Sequence, residues 1–243
     1  MNIFECEKFL NSILEPWNFN DFCHNGIQIE GKEEVKKIAC GVSFNEDFID
    51  KAIDYNADML LVHHGIFGKN FFNLSGFMKK RVEKVIKNDL TLIGYHLPLD
   101  AHSGYGNNIS ILNSLKLKNA KRFEVGFLGE YDSKMDFEEF LNKVEILFEG
   151  QKLLVYKNNP HVKNVAIVSG EGSDFLNKLD DDIDTFITGD VKEYTRNIAK
   201  ERCINFINAG HYATETFGVK NLSKLLSDKF DVEFKFLDIY NEI

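Results

Sequence analysis

KKIACGVSFNEDFIDKAIDYNADMLLVHHG, residues 36–65, reads as strand, helix and strand in immediate succession. Residues 36–42 are a short β-rich run that contains Gly41 near its end. In residues 45–56, Phe48, Ile49, Ala52 and Ile53 share one helical face, and Asn45-Glu46-Asp47 puts acidic groups at the positive end of the helix dipole. A second apolar run, Asp58 to Val62, then leads straight into His63 and His64. Outward from this stretch the pattern repeats. MKKRVEKVIKND (78–89) predicts an amphipathic helix, TLIGYH (91–96) a strand, and residues 107–117 a further helix. Apolar runs alternating with helical ones predict an α/β fold with a mostly parallel or mixed sheet.

NAKRFEVGFL (119–128) turns back to extended character and opens a second unit. There MDFEEFLNKVEILFEG (135–150) predicts a helix closed by Gly150. KLLVYK (152–157), VKNVAIVSG (162–170), DTFITGD (184–190) and CINFINAGH (203–211) are strand candidates. TETFGVKNLSKLLSDKF (214–230) predicts the last helix, and VEFKFLDI (232–239) a last strand. The expected division is a first α/β repeat over 1–120, carrying His63, His64 and Asp100, and a second over 121–243, carrying His211 and Glu215. The break near 120 is approximate, and the similar order of the two halves suggests an internal duplication.

Hydrophobic residues at 44% and charged residues at 28% are the mixture of a folded globular chain. The formal net charge of −9 argues against a broad nucleic-acid or anionic-membrane surface, which needs clustered Lys and Arg. Cys6, Cys23, Cys40 and Cys203 form no C-x-x-C pair and read as free thiols of a reducing compartment. At the start, Ile3, Phe4, Phe9, Leu10, Ile13 and Leu14 fall near helical spacing, while Glu5, Glu7 and Lys8 interrupt any signal-like apolar core. No segment reaches the ~18 apolar residues of a membrane span. The expectation is a cytoplasmic protein.

Three segments place metal-type ligands just beyond apolar strands, where open α/β sheets bind their ligands. The first is LLVHHG (60–65). Neighbouring strand side chains point to opposite faces, but Gly65 permits a sharp turn, and two ions ~3.5–4 Å apart can take one imidazole each. The plainer reading makes one histidine a surface residue and the other a hydrogen-bonded core residue. The second is YHLPLDAHSGYGNN (95–108), where Asp100 follows a strand and has His96 and His102 nearby. An isolated loop Asp is more often a turn or cap residue. In INAGHYATETFG (207–218), His211 and Glu215 project from one face if the segment is helical. His-x-x-x-Glu is common by chance; its context, strand then glycine then ligand pair, repeats the first segment. Three histidines and two carboxylates suit Zn²⁺, Mn²⁺ or Fe²⁺ better than Mg²⁺.

On these motifs the chain resembles the GTP cyclohydrolase 1 type 2 homologues, a family of dinuclear-metal hexamers. The likeness rests on CHNGIQIEG (23–31), ADMLLVHHGIF (57–67), YHLPLDAHSGYGNN (95–108), FITGDVKEY (186–194) and NAGHYATETFGVKNL (208–222), in that order. It implies two intertwined α/β repeats with mixed sheets flanked by helices, the metal site between them. It also implies two divalent ions per subunit (Zn, Fe or Mn) and assembly as a homohexamer. Carried onto this chain, His63 and His64 each bind one ion, Asp100 and His211 complete the two shells, and Glu215 bridges. Asn25, Gly26 and Gln28 match a pocket loop, or form a plain turn. Asp190 stands where the family commonly has Glu, which shortens its reach; Glu193 reads as an exposed helix residue.

The implied activity is metal-assisted opening of GTP to dihydroneopterin triphosphate. An imidazole titrates near neutrality, so His96 is the first candidate for proton transfer and His102 the second. Either can equally be a hydrogen-bonding neighbour of the site. Lys69 and Lys192 are the candidate phosphate contacts, and there is no P-loop. Two rival readings stand beside this one: a nucleotide phosphohydrolase, and a metal-binding oligomeric interaction or regulatory protein without turnover.

Overall fold

The alternation of apolar runs and amphipathic helices becomes eleven strands among the residues described by the computed structural model, 1–69, 71 and 73–243. In chain order they are β1 (Gly26–Ile29), β2 (Lys37–Ser43), β3 (Met59–His64), β4 (Thr91–Gly94), β5 (Lys118–Phe123) and β6 (Gly126–Asp136). They continue as β7 (Leu154–Tyr156), β8 (His161–Val168), β9 (Thr185–Thr188), β10 (Asn205–Asn208) and β11 (Glu233–Phe236). Two mixed sheets result, ordered β1-β4-β3-β2-β11 and β5-β6-β8-β9-β10-β7. The fold is α/β, with helices flanking both sheets. No helix among the described residues is long and apolar enough to cross a membrane.

The chain divides into two compact units, residues 1–99 with 218–239, and residues 100–217 with 240–243. This partition differs from the sequence-based break near 120. The extended run at 119–128 is the β5–β6 hairpin of a unit that has already begun at Asp100. VEFKFLDI, expected in the second half, returns to the first: β11 lies parallel to β2, with Phe234 opposite Ile38 and Phe236 opposite Cys40.

In the first unit β2, β3, β4 and β11 run parallel, and β1 closes one edge antiparallel to β4. The helix between β2 and β3, Glu46–Asp54, is capped by Asn45, whose side-chain oxygen accepts the Phe48 N–H at 2.9 Å. Its Phe48, Ile49 and Ala52 are buried as expected, and the Phe48 ring fills the space over Gly41, where a Cβ would come within 2.7 Å of it. The next helix, Gly76–Lys87, starts two residues earlier than its periodicity suggests, and β4 stops at Gly94, leaving His96 outside the strand. At the N-terminus the helix Ile3–Leu14 buries Ile3, Cys6, Leu10 and Leu14, while Phe4 is 46% exposed. Phe9 packs edge-on against Phe230 at 5.7 Å.

In the second unit β8, β9 and β10 are parallel, β6 and β7 flank them antiparallel, and β5 pairs with β6. Alternate strand residues go to opposite faces. Val165, Ile167, Ile187 and Ile207 join the helices Asn107–Ser114 and Phe137–Leu147 in one core. Ala166, Val168, Phe186 and Phe206 face Leu176 and Ala199 in another. Met135 and Asp136, expected inside the helix, finish β6, and Asp136 caps that helix by accepting the Glu138 N–H at 2.8 Å.

Candidate metal centre

In the first unit, three imidazoles stand together at the ends of β3 and β4. The His63 and His64 rings are 4.7 Å apart, and the His96 ring lies 5.0 Å and 5.6 Å from them. A ligating atom from each falls within 4.8 Å of the others. Strand pleating should separate adjacent side chains, yet the two rings at the end of β3 lie side by side. His63 is 1% exposed, and its Nδ1 is 2.9 Å from the Tyr95 carbonyl oxygen. A carbonyl only accepts, so His63 carries its hydrogen on Nδ1 and offers Nε2 as the ligating nitrogen. The Nδ1 of His64 is engaged by the Ser43 hydroxyl at 3.1 Å, and that of His96 by the Asp21 carboxylate at 2.9 Å. Histidines that bind metals usually have their second nitrogen tied in this way.

The CHNGIQIEG segment, which contains β1, frames this cluster. Asn25 accepts the His96 N–H through Oδ1 at 2.7 Å. Gln28 Oε1 accepts the N–H groups of Ile66 and Phe67 at 2.7 Å and 3.1 Å, and its amide donates to the His24 carbonyl at 2.8 Å. Gln28 thereby pins the turn that follows His64. Gly65 and Gly94 are needed beside it, since a Cβ at either would lie 2.3 Å and 2.9 Å from the Gln28 amide. Asp21, a buried acid two residues before this segment, carries no local sequence signal. Its burial tends to raise the carboxyl pKa, but hydrogen bonds from His96, Asn25 and Cys23, with the charge of His96, outweigh that and lower it to about 2. Burial, with the charge of Asp21, pushes the Cys23 thiol up to about 12, so it stays protonated. All four cysteines are free.

The second unit supplies two carboxylates and an imidazole. Asp100, on the helix Leu97–Ala101, is buried, and its Oδ1 accepts from the Asn107 amide at 2.9 Å and the Ser169 hydroxyl at 2.8 Å. Asn108 ties the same region together, donating to the Asp100 carbonyl at 3.2 Å and accepting the Ser169 N–H at 2.6 Å. An oxygen of Asp100 lies within 4.8 Å of one of Glu215. His211 Nε2 and Glu215 Oε2 are 3.2 Å apart. The expected single helix is interrupted: His211–Thr214 is one short turn, Glu215 is its C-cap, and Thr216–Phe230 follows. The i,i+4 pairing survives the break.

Gly170 explains how that pair fits. Its φ is +63°, and a Cβ there would be 2.1 Å from Glu215 Oε1 and 3.2 Å from His211 Nε2. Thr214 fastens the two segments, accepting the Gly170 N–H at 3.0 Å and donating to the Gly210 carbonyl at 2.9 Å. Asn107, Ser169 and Gly170 went unnoticed in the sequence; the only signal was their place after a strand or beside Asp100.

His102 Nδ1 accepts the N–H groups of Gly104 and Tyr105 at 3.0 Å and 2.9 Å, and its ring stacks on Tyr105. Asp190 accepts the Ser173 N–H and hydroxyl, both at 2.7 Å. Glu193 is exposed and lies in a turn before the helix Thr195–Glu201. Lys192 contacts Asp174 at 2.5 Å and Glu171 at 3.5 Å, so two carboxylates already answer its charge. Lys69 donates to Asn20 Oδ1 at 2.8 Å.

The imidazoles of one unit, with their outer nitrogens fixed, and the buried carboxylates beside an imidazole in the other are side chains that could hold a metal ion. Over residues 1–242 the chain matches the family model described as Duf34/NIF3 (NGG1p interacting factor 3). A Haemophilus influenzae protein named GTP cyclohydrolase 1 type 2 homolog is 38% identical over 248 residues, covering 98% of this chain and 99% of its own. A protein of the same name from Buchnera aphidicola subsp. Acyrthosiphon pisum is 40% identical over 245 residues, covering 99% of both. The crystal structure of a Thermus thermophilus protein superposes with a TM-score of 0.95 at 34% identity, over 100% of both chains.

Proposed function

The chain belongs to the Duf34/NIF3 family, and from that premise we propose that it is a divalent-metal-dependent hydrolase that opens GTP toward dihydroneopterin triphosphate. The observation that carries the reading is the imidazole cluster of the first unit, where His63 and His64 stand with Nδ1 engaged and candidate ligand atoms within 4.8 Å, and His96 stands beside them. Divalent ions would be held by His63 and His64 in the first unit, and by Asp100, His211 and Glu215 in the second. Ions held by such donors supply Lewis acidity and lower the pKa of a water toward neutrality.

The chain's own residues hold the donors still. The Tyr95 carbonyl orients His63, Asn107 and Ser169 orient Asp100, and Gly170 leaves room for Glu215 beside His211. His96 is the proton carrier in this reading. His102 is the weaker choice: two backbone N–H groups occupy its Nδ1 lone pair, so using that nitrogen would release its own loop. The working assembly is a homohexamer.

The test is turnover of GTP by purified protein loaded with Zn²⁺, Mn²⁺ or Fe²⁺, with the product identified by chromatography and fluorescence. A pterin triphosphate that disappears in Glu215→Ala is the expected result. Release of phosphate without a pterin would replace the reading with a nucleotide phosphohydrolase. Bound metal with no turnover of GTP would count against the enzyme and favour a metal-binding interaction protein. Light scattering of the same preparation reads the assembly, with six chains expected.

A further inference from the structure

Four donors converge on the Asp21 carboxylate. Oδ1 faces His96 Nδ1 at 2.9 Å and the Cys23 N–H at 3.0 Å, and Oδ2 faces the Asn25 side-chain amide and the Leu97 N–H, both at 3.0 Å. Two of these are backbone N–H groups. The third is an amide whose orientation is fixed, because Asn25 Oδ1 accepts the His96 N–H at 2.7 Å. A carboxylate accepts and does not donate, so the hydrogen between Asp21 and His96 belongs to His96 Nδ1. The backbone of residues 96 and 97 and the ring of His96 are thus held from one loop, and the Phe22 ring packs edge-on against that ring at 5.1 Å.

We infer that Asp21 is a positioning residue that locks neutral His96 as the Nδ1–H tautomer, so that the lone pair sits on Nε2 of a ring packed 5.0 Å from His63 and 5.6 Å from His64. The inference rests on the hydrolase reading only for its consequence: that lone pair is what accepts a proton. A histidine tautomer is set by the bond its other nitrogen makes, and an acid–base group with hydrogen and lone pair exchanged cannot play its part.

The donor count also predicts what an amide would do. In Asp21→Asn, an NH₂ at the Oδ2 place would face two donors, Asn25 and Leu97. At the Oδ1 place it faces one fixed donor, Cys23, and His96, which can become an acceptor by moving its hydrogen to Nε2. Asp21→Asn therefore turns His96 into the Nε2–H tautomer with little change of shape.

The experiment is solid-state ¹⁵N NMR of histidine-labelled, zinc-loaded full-length protein at a pH where imidazole is neutral. The chain has seven histidines, and the His96 signals are identified by their loss in His96→Gln. Nδ1–H in the wild type and Nε2–H in Asp21→Asn are the expected results. Nε2–H in the wild type, or an unchanged His96 tautomer in a folded Asp21→Asn, overturns the inference. If Asp21→Asn does not fold, the wild-type spectrum still decides, because Nε2–H there refutes the lock. With GTP as the probe, Asp21→Asn should lower kcat by about 10²-fold or more, within the usual range for losing a positioned acid–base group, and leave KM unchanged. The spectrum needs no substrate. A correct tautomer in a protein that does not turn over GTP would end the hydrolase reading and leave the role of Asp21 in place.

Discussion

Replacing Gly170 with alanine tests whether the second unit's donors are held in a cradle that only glycine permits. At φ +63° an L-residue is strained, by roughly 1–2 kcal/mol. The new Cβ would also lie 2.1 Å from Glu215 Oε1, so the carboxylate must withdraw by about 1 Å. Pushing a buried side chain aside costs roughly 1–3 kcal/mol. The two effects together destabilise by roughly 2–5 kcal/mol. At roughly 2–4 °C per kcal/mol for a chain of this size, the melting temperature should fall by several degrees or more.

Gly150→Ala separates strain from displacement. That residue has φ +89° with nothing within 4 Å of the added Cβ, so it should show the strain alone. Differential scanning calorimetry gives the stabilities, and zinc titration against a competing chelator gives the affinities. Gly170→Ala should bind zinc roughly 10–100-fold more weakly, the usual effect of disturbing a ligand's support, while Gly150→Ala binds as wild type. Equal zinc affinity in Gly170→Ala and wild type, with Glu215 unmoved in a crystal structure of the variant, would refute the cradle.

Three further outcomes are expected. Gln28→Ala removes the acceptor of the Ile66 and Phe67 N–H groups; at about 1–3 kcal/mol for each buried group left unpaired, chemical denaturation should show a loss of at least 1 kcal/mol. The Asp21 carboxyl has a folded pKa of about 2, below its value of ~3.9 in an unfolded chain. Its contribution to stability is present above pH ~4 and lost as the pH falls through about 2, so urea titrations across that window should have a shallower pH slope in Asp21→Asn; identical slopes would contradict this. His63→Ala removes a buried donor and leaves the Tyr95 carbonyl without its imidazole, and should lower the zinc content per chain without abolishing folding, as read by metal analysis and circular dichroism.

Much of the fold was legible because it is written in short-range periodicity. The 36–65 run declared β2, its helix and β3, and the burial of Phe48, Ile49 and Ala52 follows the helical face directly. His63 and His64 stood out as polar residues at the end of an apolar strand. The pairing of β11 with β2 was not legible, since 232–239 carries no mark of which sheet it will join. The return of that strand displaced the expected division of the chain. His211 and Glu215 were read through an i,i+4 rule that assumes a continuous helix; the helix breaks at Glu215, yet the side chains still meet. The supports were the hidden part. Asp21 lies 75 residues from His96 and Ser169 lies 69 from Asp100, distances over which no local pattern speaks.

The most direct test is the zinc content of the full-length chain at equilibrium dialysis, compared between wild type and Glu215→Ala. Two ions per chain in the wild type, and fewer in a folded Glu215→Ala, is the predicted result. Two ions per chain in both proteins would contradict the assignment of Glu215 as a metal donor, and fewer than two in the wild type would contradict the pair of ions on which the hydrolase reading stands.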